Sequence, residues 1–355
     1  APAPSPADRA MLTDQFGRVH DYLRISISER CNLRCTYCMP ADGVELSPSE
    51  SLLTTAEIVA LAARFAAAGV RKIRLTGGEP LVRPDIVSLV EQLAALPGIE
   101  TVGVTTNGIK LRRLLPGLVD AGLTHVNISL DTLDEAKFAA LTRRRGFQKV
   151  QGALESALEY ADAGRLKVKI NCVVMRGTNE QELADFVRLT ADKPELNVRF
   201  IEWMPFDRNA WNDDQFLGYR AMLQELAAAG LKLAPVVAKD PSDTTKWYRA
   251  EGLLGRVGFI TSMSEHFCGT CNRLRITADG KLKVCLFGRD EFDLKVVLRR
   301  GTGIGGDEDD EEGGAWDLDG LIAHALQQKH FSLGGHDDMY GIAGGENRPM
   351  ILIGG

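Results

Sequence analysis

Residues 72–95 read KIRLTGGEPLVRPDIVSLVEQLAA and contain a strand, a glycine-rich turn and a helix in succession. Lys72–Thr76 is strand-like, Gly77 and Gly78 open the turn, and Asp85–Ala95 carries apolar residues at helical spacing. Units of this kind pair their strands in parallel and connect them by right-handed crossovers. This stretch therefore predicts an α/β fold.

The same alternation fills the first two-thirds of the chain. We predict strands at Tyr22–Ser28, Lys72–Thr76, Thr101–Thr105, His125–Leu130, Val168–Val174 and Val198–Trp203. We predict helices that start near Thr54 or Thr55 and that cover Asp85–Ala95, Leu111–Ala121, Phe147–Ala163 and Glu180–Ala191. Because about eight units are needed to close a barrel, we expect an incomplete (β/α)6 TIM-type barrel over residues 21–215. A doubly wound open sheet is the alternative that periodicity leaves open.

Polar segments follow the predicted strands where each strand ends. They are Thr76–Pro80, Thr105–Gly108, Asn127–Asp131 and Glu202–Pro205. In parallel α/β folds ligands bind at the carboxyl ends of the strands. A loop with three cysteines follows the first strand, so we expect it at the same rim.

The pattern changes after about residue 215. We predict a helix at Tyr219–Ala229, strands at Leu231–Val237 and Arg256–Thr261, and a β-hairpin whose strands, Arg273–Thr277 and Lys281–Leu286, flank Asp279-Gly280. Residues 216–300 are thus expected to form a hairpin-containing extension that carries a second cysteine set. Residues 315–355 are expected to form a closing helix, Leu318–Gln328, and a glycine-rich tail.

The net charge of −6 matches a single run of six acidic residues, Asp307–Glu312, inside a glycine-rich segment. We interpret residues 301–314 as a flexible acidic insertion, so the overall charge says little about ligands. The sequence shows no basic patch for nucleic acid, no apolar run of about 18 residues for a membrane, and no secretory signal. The Pro/Ala-rich start leads us to expect disorder over residues 1–20. Cysteines spaced as metal ligands favour a cytoplasmic location.

Six of the seven cysteines form two trios, Cys31-x3-Cys35-x2-Cys38 and Cys268-x2-Cys271-x13-Cys285. Each trio offers three thiolates, whereas a four-iron cubane takes four. One iron would stay open, as in metal sites that do chemistry. Zinc is the alternative: no fourth ligand follows the first trio closely, but His266 precedes the second. Cys172, in a buried strand pattern, is interpreted as a small core residue.

The first trio, with Tyr37 between two of its cysteines, and the later Gly77-Gly78-Glu79-Pro80 resemble the radical S-adenosylmethionine (SAM) enzymes. The resemblance implies a [4Fe-4S] cluster on Cys31, Cys35 and Cys38 whose free iron binds SAM, which is then cleaved to a 5'-deoxyadenosyl radical. Glycine permits close approach of the backbone to the SAM amino group. The implied SAM contacts are Tyr37, Gly78, Ser129 and Met204.

The second trio continues into Asn272-Arg273-Leu274-Arg275. Arg273 and Arg275 alternate along a strand, so both guanidinium groups point to one face and suit an anion such as phosphate. Arg24 lies at a strand position where an apolar residue is expected, and a charge there is costly unless an anion pairs with it. Both trios, GGEP, TTNG, the SLD segment and CNRLR together resemble the GTP 3',8-cyclases of molybdenum-cofactor biosynthesis.

That resemblance implies a second [4Fe-4S] cluster, on Cys268, Cys271 and Cys285, which binds the guanine base of GTP. The radical takes H3' from the ribose and the carbon attacks C8, which gives (8S)-3',8-cyclo-7,8-dihydroguanosine 5'-triphosphate. Arg273 and Arg275 join the six cysteines as the implied catalytic set. The implied GTP contacts are Arg24, Arg74, Thr105, Lys169, Arg273, Leu274 and Arg275, with Lys72 as a further candidate.

Ile351 stands where the family carries a serine, near the terminal Gly354-Gly355 that reaches the active site in the family, so the reach of this tail stays open. The implied partners are GTP, an external electron donor and a cyclic-pyranopterin synthase that takes the product. The sequence does not determine the oligomeric state, and a homodimer is compatible with it. Two alternatives remain: a peptide-modifying radical SAM enzyme, which usually has more downstream cysteines, and a zinc-stabilised scaffold without activity.

Overall fold

The computed structural model describes residues 5–238, 240–301 and 316–354. Six parallel strands alternate with helices along the first two-thirds of the chain, as the sequence predicts. The strands are β1 Tyr22–Ser26, β2 Lys72–Thr76, β3 Thr101–Thr106, β4 His125–Ser129, β5 Lys167–Val174 and β6 Leu196–Glu202. The helices are α1 Pro6–Met11, α2 Thr55–Ala68, α3 Ile86–Ala94, α4 Leu111–Asp120, α5 Glu135–Thr142, α6 Phe147–Asp162 and α7 Leu183–Arg188.

The C-terminal part adds strands to both edges of this sheet. They are β7 Leu233–Val236, β8 Thr245–Ala250, β9 Arg256–Ile260, β10 Arg273–Ile276, β11 Lys281–Lys283 and β12 Phe292–Asp293. The sheet order is β12-β11-β10-β1-β2-β3-β4-β5-β6-β9-β8-β7. Strands β1 to β6 follow one another in sequence order, which is the order of a barrel and not of a doubly wound sheet. Because β10 pairs with β1 and β9 with β6, both in parallel, the C-terminal region continues the barrel wall on each side.

The remaining helices belong to this C-terminal part. They are α8 Tyr219–Ala228, α9 Leu294–Gly301, α10 Leu318–Gln327, α11 Met339–Ala343 and α12 Met350–Ile353. The sequence predicts α8 and α10 to within one residue but misses β8, β12, α9, α11, α12 and, in the barrel, α5. Cys285 lies two residues beyond the end of β11, so the predicted second hairpin strand is shorter than expected. The acidic insertion 301–314 and Gly355 lie outside the described residues, except for the backbone of Gly301.

The two faces of the barrel strands differ in chemistry. Successive strand residues point to opposite faces. On the outer face Leu23, Ile25, Leu75 and Val104 are fully buried in the core beneath the helices. The inner face instead carries polar and charged side chains around a cavity. The charged position predicted at Arg24 is therefore one member of a polar interior.

Helix α2 shows how local sequence sets an element. Thr54 and Glu57 form a capping box, in which the Glu57 amide donates to Thr54 Oγ1 (3.2 Å) and the Thr54 amide donates to Glu57 Oε2 (2.8 Å). Gly69, with φ 118°, ends the helix. Residues Ser49–Ala68 are apolar enough to cross a membrane by length and composition alone. In the fold, however, Ile58, Leu61 and Phe65 of this helix are buried in the protein core.

The expectation of disorder over residues 1–20 is wrong from Ser5 onward. The Ser5 side chain caps α1, and Leu12 and His20 are fully buried. The Phe16 ring packs edge-on against Phe331, with ring centroids 5.4 Å apart. Composition suggested disorder because these partners lie more than 300 residues away and are invisible to a local pattern.

Candidate active site

A cavity of about 480 Å³ fills the inside of the barrel. Strands β1 to β6 and β10 contribute to its wall, together with the cysteine loop after β1 and the glycine loop after β2. Seven cations and four carboxylates line it. The cations are Arg24, Lys72, Arg74, Lys169, Arg199, Arg273 and Arg275, and the carboxylates are Glu79, Asp131, Asp240 and Asp243. The wall therefore has an excess of positive charge, which suits a polyanionic ligand.

The first cysteine trio lies at the rim formed by the carboxyl ends of the strands, as predicted. Cys31, Cys35 and Cys38 all line the cavity. Burial and the neighbouring thiol of Cys38 raise the pKa of Cys35 well above its usual value, and burial with Cys31 raises the pKa of Cys38 to about 12. Three adjacent thiols that resist ionisation on their own are a donor set that becomes favourable when a cation binds the thiolates.

The glycine loop is packed against the strand exit that leads to this trio. The Gly78 amide donates to Ser28 O (2.6 Å) and the Glu79 amide donates to Arg30 O (2.8 Å). A Cβ on Gly77 would lie 2.3 Å from Ser28 O, and one on Gly78 would lie 2.5 Å from Arg30 O. The close packing of this loop on residues 28–30 therefore requires glycine at both positions. The sequence suggests a different reason for glycine here, the approach of a ligand.

Glu79 joins the glycine loop to the TTNG segment after β3. Its carboxylate accepts from Thr106 Oγ1 (2.6 Å) and from the Asn107 amide (2.7 Å). The Asn107 side chain in turn lies 3.9 Å from Cys31 Sγ, with Nδ2 as donor. Two sequence motifs more than 25 residues apart therefore support the same cysteine.

Tyr37 donates its hydroxyl hydrogen to Asp131 Oδ2 (2.7 Å), and both residues are buried. The Val173 amide donates to the other carboxylate oxygen, Oδ1 (2.8 Å). Burial raises the pKa of Asp131 to about 6. Tyr37 is thus held rigidly beside Cys35 and Cys38, although the sequence did not identify Asp131 as its partner. Ser129, Gly78 and Met204, the other expected SAM contacts, also line the cavity.

Below this rim a row of three arginines crosses the barrel wall. Register pairs Arg24 of β1 with Arg275 of β10 on one side and with Arg74 of β2 on the other. The row continues at Gly103 of β3, where a Cβ would lie 3.0 Å from the Arg74 guanidinium. Gly103 therefore leaves the space that Arg74 occupies. Burial lowers the pKa of Arg24 to about 9, and the nearby Arg275 and Arg74 contribute in the same direction.

A second row lies on the same three strands, two residues closer to their amino ends. There register aligns Arg273, Tyr22 and Lys72. The Arg273 guanidinium lies over the Tyr22 ring at 5.7 Å, and Arg74 Nε donates to the Tyr22 hydroxyl at 2.6 Å. Burial alone would raise the pKa of Tyr22, but the charges of Arg74 and Arg24 outweigh it and lower the pKa to about 7. Tyr22 is a site residue that the sequence analysis missed.

Arg199 of β6 is another missed site residue. Its Nε and Nη2 donate to Asn171 Oδ1 at 3.0 and 2.6 Å. With its amide oxygen turned inward, Asn127 accepts from Arg199 Nη2 (2.8 Å) and Arg74 Nη1 (3.2 Å). Lys169 lines the same region, and burial, with Arg199 and Arg74, lowers its pKa to about 7. Arg199 lies at a strand position where an apolar residue is expected, which is the same sequence signal that marks Arg24.

The expected substrate contacts are brought together with one exception. Arg24, Lys72, Arg74, Thr105, Lys169, Arg273 and Arg275 all line the cavity. Leu274 lies between two inward-pointing arginines, so its fully buried side chain faces the core instead. Among the described residues, Thr105 Oγ1, Arg273 Nη1 and Arg275 Nε are buried without a hydrogen-bond partner. Unsatisfied polar atoms of this kind indicate a place for a polar ligand.

Asp240, Ser242, Asp243 and Thr244, which come just before β8, line the cavity near the amino ends of β2 and β10. Asp240 Oδ2 lies 2.7 Å from Lys72 Nζ, and the Ser242 carbonyl accepts from Arg273 Nη2 at 2.7 Å. Asp243 accepts from Trp247 Nε1 (2.7 Å). Of the four cavity carboxylates, Asp240 is the one that forms an ion pair with a cavity cation.

The second trio lies beside the amino end of β10. Cys271 comes two residues before Arg273, which register places next to Tyr22 at the start of β1. The first trio follows the other end of β1, so the two trios lie toward opposite ends of one strand pair. Phe267, Arg273, Arg275 and Leu286, which are close in sequence to the second trio, line the cavity, whereas Cys268, Cys271 and Cys285 are not among its lining residues.

Charges and a backbone amide surround the second trio. The Leu333 amide lies 3.5 Å from Cys268 Sγ, as its donor. Burial raises the pKa of Cys271, but Lys329 and Arg273 outweigh burial and lower it to about 7. Among the described residues, no three His, Cys, Asp or Glu side chains form a group suited to a single metal ion. The cations beside Cys271 therefore favour its thiolate form, whereas burial raises the pKa of Cys268.

The C-terminal tail enters the barrel. Met350 and Ile351 line the cavity, and a Cβ on Gly354 would lie 2.6 Å from Thr76 Oγ1. Ile351, at the position where a serine was expected, is buried. The tail thus reaches the barrel interior with an apolar side chain at that position.

Two family models match adjacent parts of the chain. The Radical SAM superfamily model matches residues 25–190, and the Molybdenum Cofactor Synthesis C model matches residues 196–332. The chain is 54% identical over 344 residues to Molybdenum cofactor biosynthesis protein 1 of Bos taurus, covering 97% of this chain and 51% of that protein. It is 50% identical over 348 residues to "GTP 3',8-cyclase, mitochondrial" of Arabidopsis thaliana, covering 97% and 84%. The chain thus spans about half the length of the bovine relative.

The fold also resembles a solved structure. The crystal structure of Streptococcus suis SuiB superposes with a TM-score of 0.53 at 16% sequence identity, covering 76% of this chain and 60% of SuiB. This likeness concerns the fold alone. The level of identity to the cyclase, together with the two family models, shows that the chain belongs to the radical SAM superfamily, in the family of GTP 3',8-cyclases and molybdenum cofactor biosynthesis proteins.

Proposed function

We propose that this chain is a radical SAM GTP 3',8-cyclase, which converts GTP to (8S)-3',8-cyclo-7,8-dihydroguanosine 5'-triphosphate as the first step of molybdenum cofactor biosynthesis. The observation that carries the proposal is the cation-rich cavity, which the first cysteine trio lines and which the second trio adjoins through Phe267, Arg273, Arg275 and Leu286. Seven cations line its wall, and one trio lies toward each end of the β1–β10 strand pair. A nucleoside triphosphate has the charge and the length to use this arrangement.

The thiol chemistry fits one iron–sulfur cluster at each trio. Cys31, Cys35 and Cys38 would hold the first [4Fe-4S] cluster, with SAM contacted by Tyr37, Gly78, Ser129 and Met204. Cys268, Cys271 and Cys285 would hold a second [4Fe-4S] cluster, carried by the extension that contains the β10–β11 hairpin. When bound, the first cluster and SAM supply one-electron cleavage of SAM and abstraction of H3' from the ribose.

The cations bind and orient the triphosphate. Arg24, Arg74 and Arg275 form one row, and Lys72 and Arg273 lie in the next, so phosphate oxygens meet donors from three neighbouring strands. Guanidinium groups bind phosphate through paired, charge-assisted hydrogen bonds. Held in this way, the ribose cannot turn away from the first trio, and rigid positioning of this kind is a large part of the rate enhancement.

Other residues shape the reaction space. The Tyr37–Asp131 hydrogen bond fixes the wall beside the first trio. Met350 and Ile351 of the tail cover part of the cavity with apolar side chains. A cavity that excludes water protects a reactive carbon radical from side reactions.

The proposal includes partners outside the chain. Reductive cleavage of SAM needs an external electron donor, and the cyclic nucleotide needs a cyclic-pyranopterin synthase to take it onward. A cytoplasmic location and a homodimer are compatible with the proposal. The second of the matched relatives is named as mitochondrial, so the location is best tested directly by imaging the native protein in its own cells.

The test is an anaerobic assay with reductant, SAM and GTP, in which 5'-deoxyadenosine and the cyclic nucleotide are measured together with iron and sulfide. We expect about eight irons per chain, two four-iron clusters, and GTP-dependent formation of both products. Cys271→Ala should lose half of the iron and all cyclic product while some SAM cleavage survives. Cys172→Ala is the matched control, because Cys172 is buried in the core and should leave iron content unchanged. Zinc without sulfide, or no cyclic nucleotide from a fully loaded protein, would contradict the proposal.

A further inference from the structure

Lys329 is a buried lysine at the second trio. It lies two residues after the end of α10 and is only 3% exposed. Its Nζ donates to Val284 O (2.6 Å) and Arg273 O (3.4 Å), and it lies 3.9 Å from Cys271 Sγ. The ammonium group therefore lies between the start of β10, the loop that leads to Cys285, and a ligand thiol.

No carboxylate among the described residues lies within ion-pair distance of this ammonium group. The groups that favour its charge are the sulfurs of Cys271, 3.9 Å away, and Cys285, when they are ionised. A buried charge without a counter-charge is costly. Burial of the Lys329 charge therefore becomes favourable when an anionic group is bound at the second trio.

Lys283 on β11 provides a contrast within the same hairpin. It is also buried, and its Nζ donates to Gly288 O (2.7 Å). Unlike Lys329, it has a carboxylate partner, with Glu291 Oε1 at 3.4 Å. Lys283 is therefore a buried lysine whose charge is paired with a carboxylate of the protein, whereas the charge of Lys329 faces the sulfur of Cys271.

The position of Lys329 is fixed from the protein side. Gln15 Nε2 donates to the carbonyl oxygens of Lys329 and Gln327 at 3.1 Å each. Arg18 Nη1 donates to Cys268 O (2.7 Å) and Nη2 to His330 O (3.0 Å). The N-terminal segment therefore ties the residue that carries the ammonium to the loop that carries a ligand cysteine.

We propose that Lys329 is a positioning residue for the second cluster: its ammonium group offsets the negative charge at Cys271, holds both arms of the hairpin at the ligands, and raises the reduction potential of the cluster. This inference rests on the second cluster of the proposed function. A nearby cation favours the reduced, more negative form of a cluster, so its removal makes the potential more negative.

The test uses the full-length chain in which Cys31, Cys35 and Cys38 are all replaced by Ala, so that only the second cluster is present. Its midpoint potential is measured by an EPR-monitored titration without SAM or GTP, for Lys329 and for the variants Lys329→Met, Lys329→Arg and Lys283→Met. Iron, sulfide and the melting temperature are measured on each sample. None of these readouts depends on cyclase activity.

We expect Lys329→Met to lower the equilibrium constant for reduction about tenfold, which is a shift of about 59 mV to more negative potential for one electron. Lys329→Arg, which keeps the charge, should stay near the unsubstituted potential. Lys283→Met should lower the melting temperature with a much smaller shift of the potential. Equal potentials in Lys329→Met and its parent, or equal shifts in Lys329→Met and Lys329→Arg, would overturn the inference.

The outcomes also separate this inference from the proposed function. If the full chain with both trios intact binds only about four irons, the second cluster fails, and the role of Lys329 fails with it. If about eight irons are present and the potentials are equal, the role of Lys329 alone fails. If the potential shifts as expected but GTP is not cyclised, the inference stands and the proposed reaction fails.

Discussion

Arg24 and Arg275 are direct neighbours on two parallel strands, and both side chains point into one cavity. Like charges placed opposite each other across a sheet are destabilising. The repulsion between the two guanidinium groups lowers the stability of the protein without ligand, and an anion that binds between them removes this repulsion. The same relationship repeats between Arg24 and Arg74 on the other side.

The first prediction concerns this row. Replacing Arg275 with Met should weaken GTP binding by roughly tenfold or more, because a charge-assisted phosphate contact is lost. Without nucleotide the melting temperature should not fall, because crowding between cations is relieved. Calorimetric binding and thermal unfolding check both parts. Arg71→Met, at an exposed arginine paired with Asp21, is the control and should leave GTP affinity unchanged. Unchanged affinity in Arg275→Met would contradict the cation argument.

The second prediction concerns the ion pair between Lys72 and Asp240. The Asp240 carboxylate forms an ion pair with the Lys72 ammonium group, and a bound phosphate would have to compete with it for this cation. Asp240→Asn should therefore tighten GTP binding several-fold, whereas Lys72→Met should weaken it. The difference should shrink at high salt, because both groups are partly exposed. Asp192→Asn, at an exposed carboxylate paired with Lys193, serves as the control. Weaker GTP binding in Asp240→Asn would show that the carboxylate assists the nucleotide.

The third prediction concerns pH. Burial, with Arg199 and Arg74, lowers the pKa of Lys169 from 10.5 to about 7. Although burial acts in the opposite sense, the charges of Arg74 and Arg24 lower the pKa of Tyr22 from 10.0 to about 7. Between pH 7 and 10 the unfolded chain thus holds more protons on both groups than the folded chain does. The free energy of unfolding without nucleotide should therefore rise across this window.

Bound phosphate favours protonated Lys169, so GTP affinity should fall as the pH rises above 7. Denaturant unfolding and GTP binding at pH 7, 8 and 9 measure the two slopes. Lys169→Met should reduce both slopes, and Tyr22→Phe should reduce the slope of stability. Lys167→Met, at an exposed lysine on the same strand, should change neither. A free energy of unfolding that falls between pH 7 and 9 in the unsubstituted protein would count against this assignment.

The fourth prediction concerns the N-terminal segment. Arg18 donates to the carbonyls of Cys268, His330 and Phe331, and its Nε lies 2.6 Å from Asp14 Oδ2. Arg18→Met should lower the melting temperature and the iron bound at the second trio, while the first trio keeps its iron. Iron analysis of the chain that lacks the first trio's cysteines isolates this effect. Arg9→Met, in exposed helix α1, is the matched control. Full iron content in Arg18→Met would show that the segment is dispensable for the second site.

The sequence predicted the barrel strands well because each one alternates with a helix and ends in a polar segment. It singled out Arg24, which lines the cavity, because a charge at a strand position expected to be apolar is unusual. Arg199 carries the same signal, but its strand was interpreted only as a barrel strand. The hydrogen bond from Tyr37 to Asp131 could not be predicted from a local pattern, because the two residues are 94 positions apart in the chain.

The remaining differences come from contacts that are distant in the chain. Residues 5–20 look disordered by composition, yet Gln15 and Arg18 bind backbone atoms of residues beyond 325. Gly78 was interpreted through ligand approach, whereas the structure adds its packing on Arg30 O. In both cases the local pattern gave no sign of the partner segment.

The pairing of β10 with β1, together with that of β5 with β6, has a consequence for how the molecule can be divided. The two family models meet between residues 190 and 196, yet the backbone of β1 is hydrogen-bonded to β10 and that of β5 to β6 across this seam. Cutting the chain at that seam would leave two bare strand edges in each part, β1 and β5 in one and β6 and β10 in the other, and bare edges are templates for aggregation. The halves that sequence comparison treats as modules are therefore expected to fold only as one inseparable unit, and recombining them between relatives requires exchanging both flanks at once.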